Sequence, residues 1–126
     1  VYGFFRSTDE ETAMITGIHV MMYSPKADAV RAFMRDVLEF PHVDAGEDWL
    51  IFKAPAAEMA SHPIEGEGHW DVSLMCDDLE ATLKALAAKG VGASAPRDLG
   101  WGVASTLNLP DGSGLMIYQP RYQTAI

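Results

Sequence analysis

The chain has 126 residues and a mass of 13.7 kDa, which suits one compact domain or two very small halves that share a core. Apolar residues make up 48% and charged residues 21%, so disorder is excluded as the main state: there is enough apolar surface to offset chain entropy. Lys plus Arg is 9 against 18 for Asp plus Glu, a formal charge of -9 with no basic stripe. That balance argues against nucleic acid and against anionic membranes, and it attracts cations.

Cys76 is the one cysteine, which excludes an internal disulfide and zinc sites built from several thiolates. The expected compartment is therefore reducing and cytoplasmic. No apolar run approaches the roughly 20 residues that span a bilayer. Residues 1–13 are mixed and acidic, carry no signal-peptide pattern, and are expected to be an N-terminal extension ahead of Met14.

From Ile15 to Tyr23 the residues alternate as on a strand, with Ile18, Val20 and Met22 on one face and His19, Met21 and Tyr23 on the other. Ser24-Pro25 reads as an N-cap and a first helical position. Val30, Phe33, Met34, Val37 and Leu38 recur at helical spacing, so an amphipathic helix is expected to end near Glu39, before Pro41. Short strands are expected at 41–44, 49–54 and 58–62, then a linker at 63–68.

The same order then repeats. In 69–76, Val72, Leu74 and Cys76 share one face, and His69, Asp71, Ser73 and Met75 the other. Asp77 with Glu80 reads as a capping box, Leu79, Leu83, Leu86 and Ala87 as the buried stripe, and Gly90 as the C-cap. Strands are expected at 92–99, 103–109 and 115–119, with a turn at Pro110-Asp111-Gly112-Ser113-Gly114. Offsets between the halves agree to within one residue. Each half thus reads as βαβββ: the first module is 14–63, the second 64–126, together one structural domain. The expected fold class is α+β, with a curved mixed sheet around a cleft and the helices outside. Open sheet edges make a homodimer the expected assembly.

This repeat, with a histidine in its first strand, resembles the vicinal oxygen chelate superfamily of glyoxalases, extradiol dioxygenases, fosfomycin-resistance enzymes and bleomycin-binding proteins. The resemblance is carried by Ile15 to Phe40, Cys76 to Val91 and Leu109 to Pro120, through their order and spacing rather than any single motif. It implies a divalent metal (Fe, Mn, Zn or Ni) in the concave sheet, held from the first and last strand of each half. The implied ligands are His19 and Asp71, with Glu58 as a third if the strand shifts or bulges by one residue. Met116 stands where catalysing members usually carry Glu, and Met59 takes the corresponding place in the first half. A thioether is a soft, neutral donor, ill suited to a hard oxygen-activating metal.

Two main functional readings stay open, beside a third, an interaction module with a vestigial cavity. One is a divalent-metal-dependent lyase, isomerase or dioxygenase, using His19, Asp71 and Glu58. The other is a metal-independent protein that binds or sequesters a small drug or metabolite. Its cleft would be lined by Met21, Tyr23, His69, Trp101, Met116 and Tyr118, with Trp101 of the Gly-Trp-Gly segment as a lid. An aromatic cleft in an acidic protein suits a planar or cationic compound.

Overall fold

The computed structural model describes residues 19–126. The expected extension at 1–13 and the start of the expected first strand lie outside the described residues. The second half builds the whole expected βαβββ unit: β3 (Ser73–Met75), α2 (Leu79–Ala88), β4 (Arg97–Asp98), β5 (Gly102–Asn108) and β6 (Gly114–Pro120). Ahead of it come α1 (Ala27–Asp36) and a two-stranded antiparallel pair, β1 (His42–Asp44) and β2 (Leu50–Phe52).

The main sheet has the order β3-β6-β5-β4, with β3 parallel to β6 and the other pairs antiparallel. The β5–β6 turn is built by its own residues. Asp111 accepts from the Ser113 amide at 2.9 Å, Leu109 N–H donates to Ser113 O at 2.8 Å, and Gly112 takes φ +89.

Both helices cover one face of this sheet. Leu79 and Leu86 of α2 pack on Leu107 and Ile117, while Phe33 of α1 packs on Leu109 and Leu115. Leu107 and Leu79 are essentially sealed from solvent, and each contributes about 2 kcal/mol of burial on transfer scales. Ala87, expected in the buried stripe, is exposed. With Leu79, Leu83 and Leu86 turned to the sheet, the helix surface at Ala87 has nothing to meet.

The α2 cap falls one residue later than expected. Asp78, not Asp77, accepts from Ala81 N–H at 3.1 Å, and Gln119 Oε1 of β6 accepts from Leu79 N–H at 2.9 Å. Gly90 closes the helix with φ +85, its N–H on Ala87 O. The α1 start also differs. Its N-cap position is Lys26, which makes no side-chain cap bond, while Ser24 Oγ accepts from Lys26 N–H at 3.1 Å and donates to Asp111 across the chain. Glu39, in the left-handed region at φ 59, turns the chain away before Pro41.

The class is α+β, as expected, but the first half departs from a full module among the described residues. Residues 19–23 and 58–62 form no strand. Alternation supplies a face for a strand but not a partner for its N–H and C=O groups, and neither segment joins a ladder among the described residues. Within 19–23 only Met22 packs against the core.

Candidate functional site

Alternation sorts the sheet side chains into two sets. Leu74, Val103, Leu107, Leu115 and Ile117 turn toward the helices. Register pairs Ser73 with Met116, Met75 with Tyr118, Thr106 with Met116, and Ala104 with both Tyr118 and Arg97, so these residues share the opposite face. That face carries Met75, Met116 and Tyr118 side by side, as their period-2 positions imply.

Trp101 joins it from the β4–β5 connection. Gly100 at φ +86 and the 2.8 Å bond from Leu99 N–H to Gly102 O make this a tight turn. The Trp101 carbonyl accepts from Arg121 N–H at 2.8 Å, and Arg121 pairs with Asp98 at 2.6 Å, a contact that holds the Asp98 carboxyl below its usual range. The Trp101 ring then meets the Tyr118 ring edge-on, centroids 5.0 Å apart at 85°. Gly102 makes room for this. A Cβ there would lie 2.8 Å from Gln119 O and 3.3 Å from Tyr118 Cδ2.

Tyr118 continues into a polar chain. Its hydroxyl is 2.8 Å from the Tyr122 hydroxyl, which donates a short hydrogen bond to Glu58 Oε1, and Glu58 Oε2 accepts from Ala125 N–H at 2.9 Å. The Tyr122 hydroxyl and the Ala125 N–H hold the Glu58 carboxyl below its ordinary range. The same carboxylate, with Tyr118, pushes the Tyr122 phenol well above its own. Both effects favour an ionised Glu58 against a neutral Tyr122. Tyr122 was not among the candidates from sequence. It lies past the last strand, where no periodicity marks it, and its only signal is its place four residues beyond Tyr118.

His19, Asp71 and Glu58 form no three-membered cluster. His19 is exposed, and Asp71 is exposed beside His69, with His69 Nε2 3.6 Å from Asp71 Oδ1. That closeness agrees with the shared face read for His69 and Asp71. Glu58 is committed to Tyr122 and Ala125. Met59 is exposed as well. Among the described residues no three His, Cys, Asp or Glu side chains gather as a metal site. The described residues thus assemble no donor set for the implied metal, and no chemistry is routed through one. Met21 and Tyr23 lie outside the four-stranded sheet, and Tyr23 is 92% exposed.

Cys76 packs against the α2 core, and burial pushes its thiol up, as for a structural rather than reactive cysteine. A surface groove of about 420 Å³ lies on the helix-covered side, lined by Asp78, Leu79, Glu80, Leu83, Pro96, Val103 and Gln119. It contains none of the candidate metal-ligating or ligand-binding residues read from sequence. No helix of the described residues is long and apolar enough to cross a membrane.

Comparison of the sequence with protein-family models, and with curated proteins, gives no match. Solved structures do match. TnmS3, an antibiotic-binding protein from Streptomyces sp. CB03234, superposes with a TM-score of 0.62 at 20% identity, over 86% of this chain and 98% of that one. Lactoylglutathione lyase from Agrobacterium tumefaciens gives 0.59 at 16%, over 84% and 95%. A glyoxalase/bleomycin resistance protein/dioxygenase superfamily member from Sphaerobacter thermophilus gives 0.56 at 21%, over 84% and 98%. This chain has the glyoxalase/bleomycin resistance fold. At these identities the likeness concerns the fold alone, and a glyoxalase-type fold carries both catalysts and binders. What a chain with this fold does must be argued from its own side chains.

Proposed function

We propose that this protein binds a small planar, hydrophobic or cationic molecule on the helix-free face of its sheet, and that it does so without a metal. The observation that carries this reading is the edge-on Trp101–Tyr118 pair beside Met75 and Met116. Two aromatic rings with defined mutual geometry, flanked by two deformable thioethers, suit a flat apolar body. The charge of -9 favours a cationic one. A panel of planar cations and neutral aromatics, read by tryptophan fluorescence, tests it. At least one compound is expected to bind the wild-type chain and to weaken about tenfold in Trp101→Ala. A hit whose affinity is unchanged in that variant counts against the site.

A homodimer is the second part of the proposal. It is supported by Trp70 at 85% exposure and Trp49 at 56%, together with exposed Val72 just before β3, the outer strand of the four-stranded sheet among the described residues. Large exposed apolar side chains favour a covering partner, and a second copy supplies a self-complementary one. Sedimentation equilibrium is expected to give twice the chain mass; a monomer at every concentration overturns this part.

A further inference from the structure

The polar chain beside the aromatic pair has the form of an occupied binding site. The Tyr122 phenol sits between two groups of matching character. Its oxygen accepts from Tyr118 across 2.8 Å, and its proton goes to the Glu58 carboxylate. The direction follows from the donor inventory. An ionised carboxylate only accepts, so Tyr122 donates to it, and Tyr118 must donate to Tyr122. Glu58 and Tyr118 reach this point from different halves of the sequence, and the residue between them belongs to a short terminal segment. That segment is held to the rest through Arg121 on Asp98 and Ala125 on Glu58. Tyr122 itself is 42% exposed, so its side chain adds little to the core.

We propose that Glu58 and Tyr118 form a recognition site for a phenolic ligand, and that Tyr122 occupies it as an intrachain competitor. A phenol from outside would place its ring beside Trp101 and Tyr118. It would donate its proton to Glu58 and accept from the Tyr118 hydroxyl, reproducing both bonds that Tyr122 now makes. The carboxylate supplies the specificity. A hydrogen bond to an ionised acceptor is stronger than a neutral one, and an aromatic compound without a hydroxyl leaves it unmade. The inference deepens the binding reading above and rests on it for the location of the site.

The test uses p-cresol, the free analogue of the tyrosine side chain, with toluene as the control that lacks the hydroxyl. Tyr122→Ala removes the competitor, and its melting temperature checks that the fold persists. Tyr122→Ala is expected to bind p-cresol at least about tenfold more tightly than wild type, and toluene weakly. Adding Glu58→Ala is expected to abolish that gain. The proposal is overturned if Tyr122→Ala gains no affinity, if toluene binds as well as p-cresol, or if Glu58→Ala leaves the gain intact. Where p-cresol fails but other compounds still report through Trp101, this inference falls and the binding reading stands. Where no compound depends on Trp101, both fall.

Discussion

Ser24 Oγ donates a 2.5 Å hydrogen bond to Asp111 Oδ2, joining the start of the first helix to the last turn of the chain. The same carboxylate accepts from the Ser113 hydroxyl at 2.6 Å and the Ser113 amide at 2.9 Å. Together these bonds lower the Asp111 pKa to about 2, with Ser113 the larger cause and Ser24 the next. The folded value lies below the unfolded one, so the stabilisation is full above about pH 4 and is lost as pH falls toward about 2. Ser24→Ala is expected to raise the Asp111 pKa while leaving it below the ordinary carboxylate value, because Ser113 remains. A carboxyl NMR titration reads this directly. An unchanged Asp111 pKa contradicts the contact.

The packing of α1 on the main sheet depends on Phe33, buried against Leu109 and Leu115. Phe33→Ala is expected to cost about 3–5 kcal/mol in chemical unfolding, the range for an aromatic side chain deleted from a core. A loss under about 1 kcal/mol means that α1 does not pack there.

The second half was legible because each of its signals was local and its strands find partners within the same half. Leu79, Leu83 and Leu86 stand at helical spacing, Gly90 ends the helix, and the Pro110–Gly114 turn sets the β5–β6 register. The expected side-chain faces of Ser73, Leu74, Met75, Met116 and Tyr118 follow from that register. The first half was less legible because strand formation is not local. Residues 19–23 have an alternating pattern but join no ladder among the described residues, and Ser24 Oγ ties the helix entrance at Lys26 N–H to the distant Asp111 turn. The candidate site divides in the same way. The shared face of Met116 and Tyr118 follows from local alternation and Trp101 meets Tyr118 from a short turn, whereas a site from His19, Asp71 and Glu58 depends on how distant segments meet, which one-dimensional spacing does not encode.

Gly102 is predicted to matter for shape rather than for backbone freedom. Gly102→Ala places a methyl against Gln119 O and the Tyr118 ring. It is expected to cost about 1–3 kcal/mol by overpacking and to disturb the Trp101–Tyr118 edge contact. Near-ultraviolet circular dichroism, together with unfolding, checks both effects. Wild-type spectra and stability in this variant contradict the close approach.

Tyr122 is predicted to hold its proton longer than an ordinary tyrosine, because Glu58 first and Tyr118 second favour the neutral phenol. A raised folded pKa gives stabilisation that is full below the unfolded value, about 10, and is lost as pH rises through the folded one. The Glu58 contribution runs the other way. Its lowered pKa gives stabilisation that is present above about pH 4.3 and fades in acid. The contact should therefore be intact between about pH 5 and 9. Glu58→Gln is expected to bring the Tyr122 phenol down toward about 10, read as phenolate absorbance in difference against Tyr122→Phe. No change on Glu58→Gln contradicts the pairing.

Which face of the sheet takes the ligand is tested most directly by methyl NMR of the protein with a bound compound. Met75 and Met116 mark the helix-free face, and Leu83 marks the groove beside α2. The predicted result is that titration shifts the Met75 and Met116 methyl signals and the Trp101 indole signal while Leu83 stays still. Shifts confined to Leu83 and its neighbours, with Met75, Met116 and Trp101 unmoved, would contradict the account.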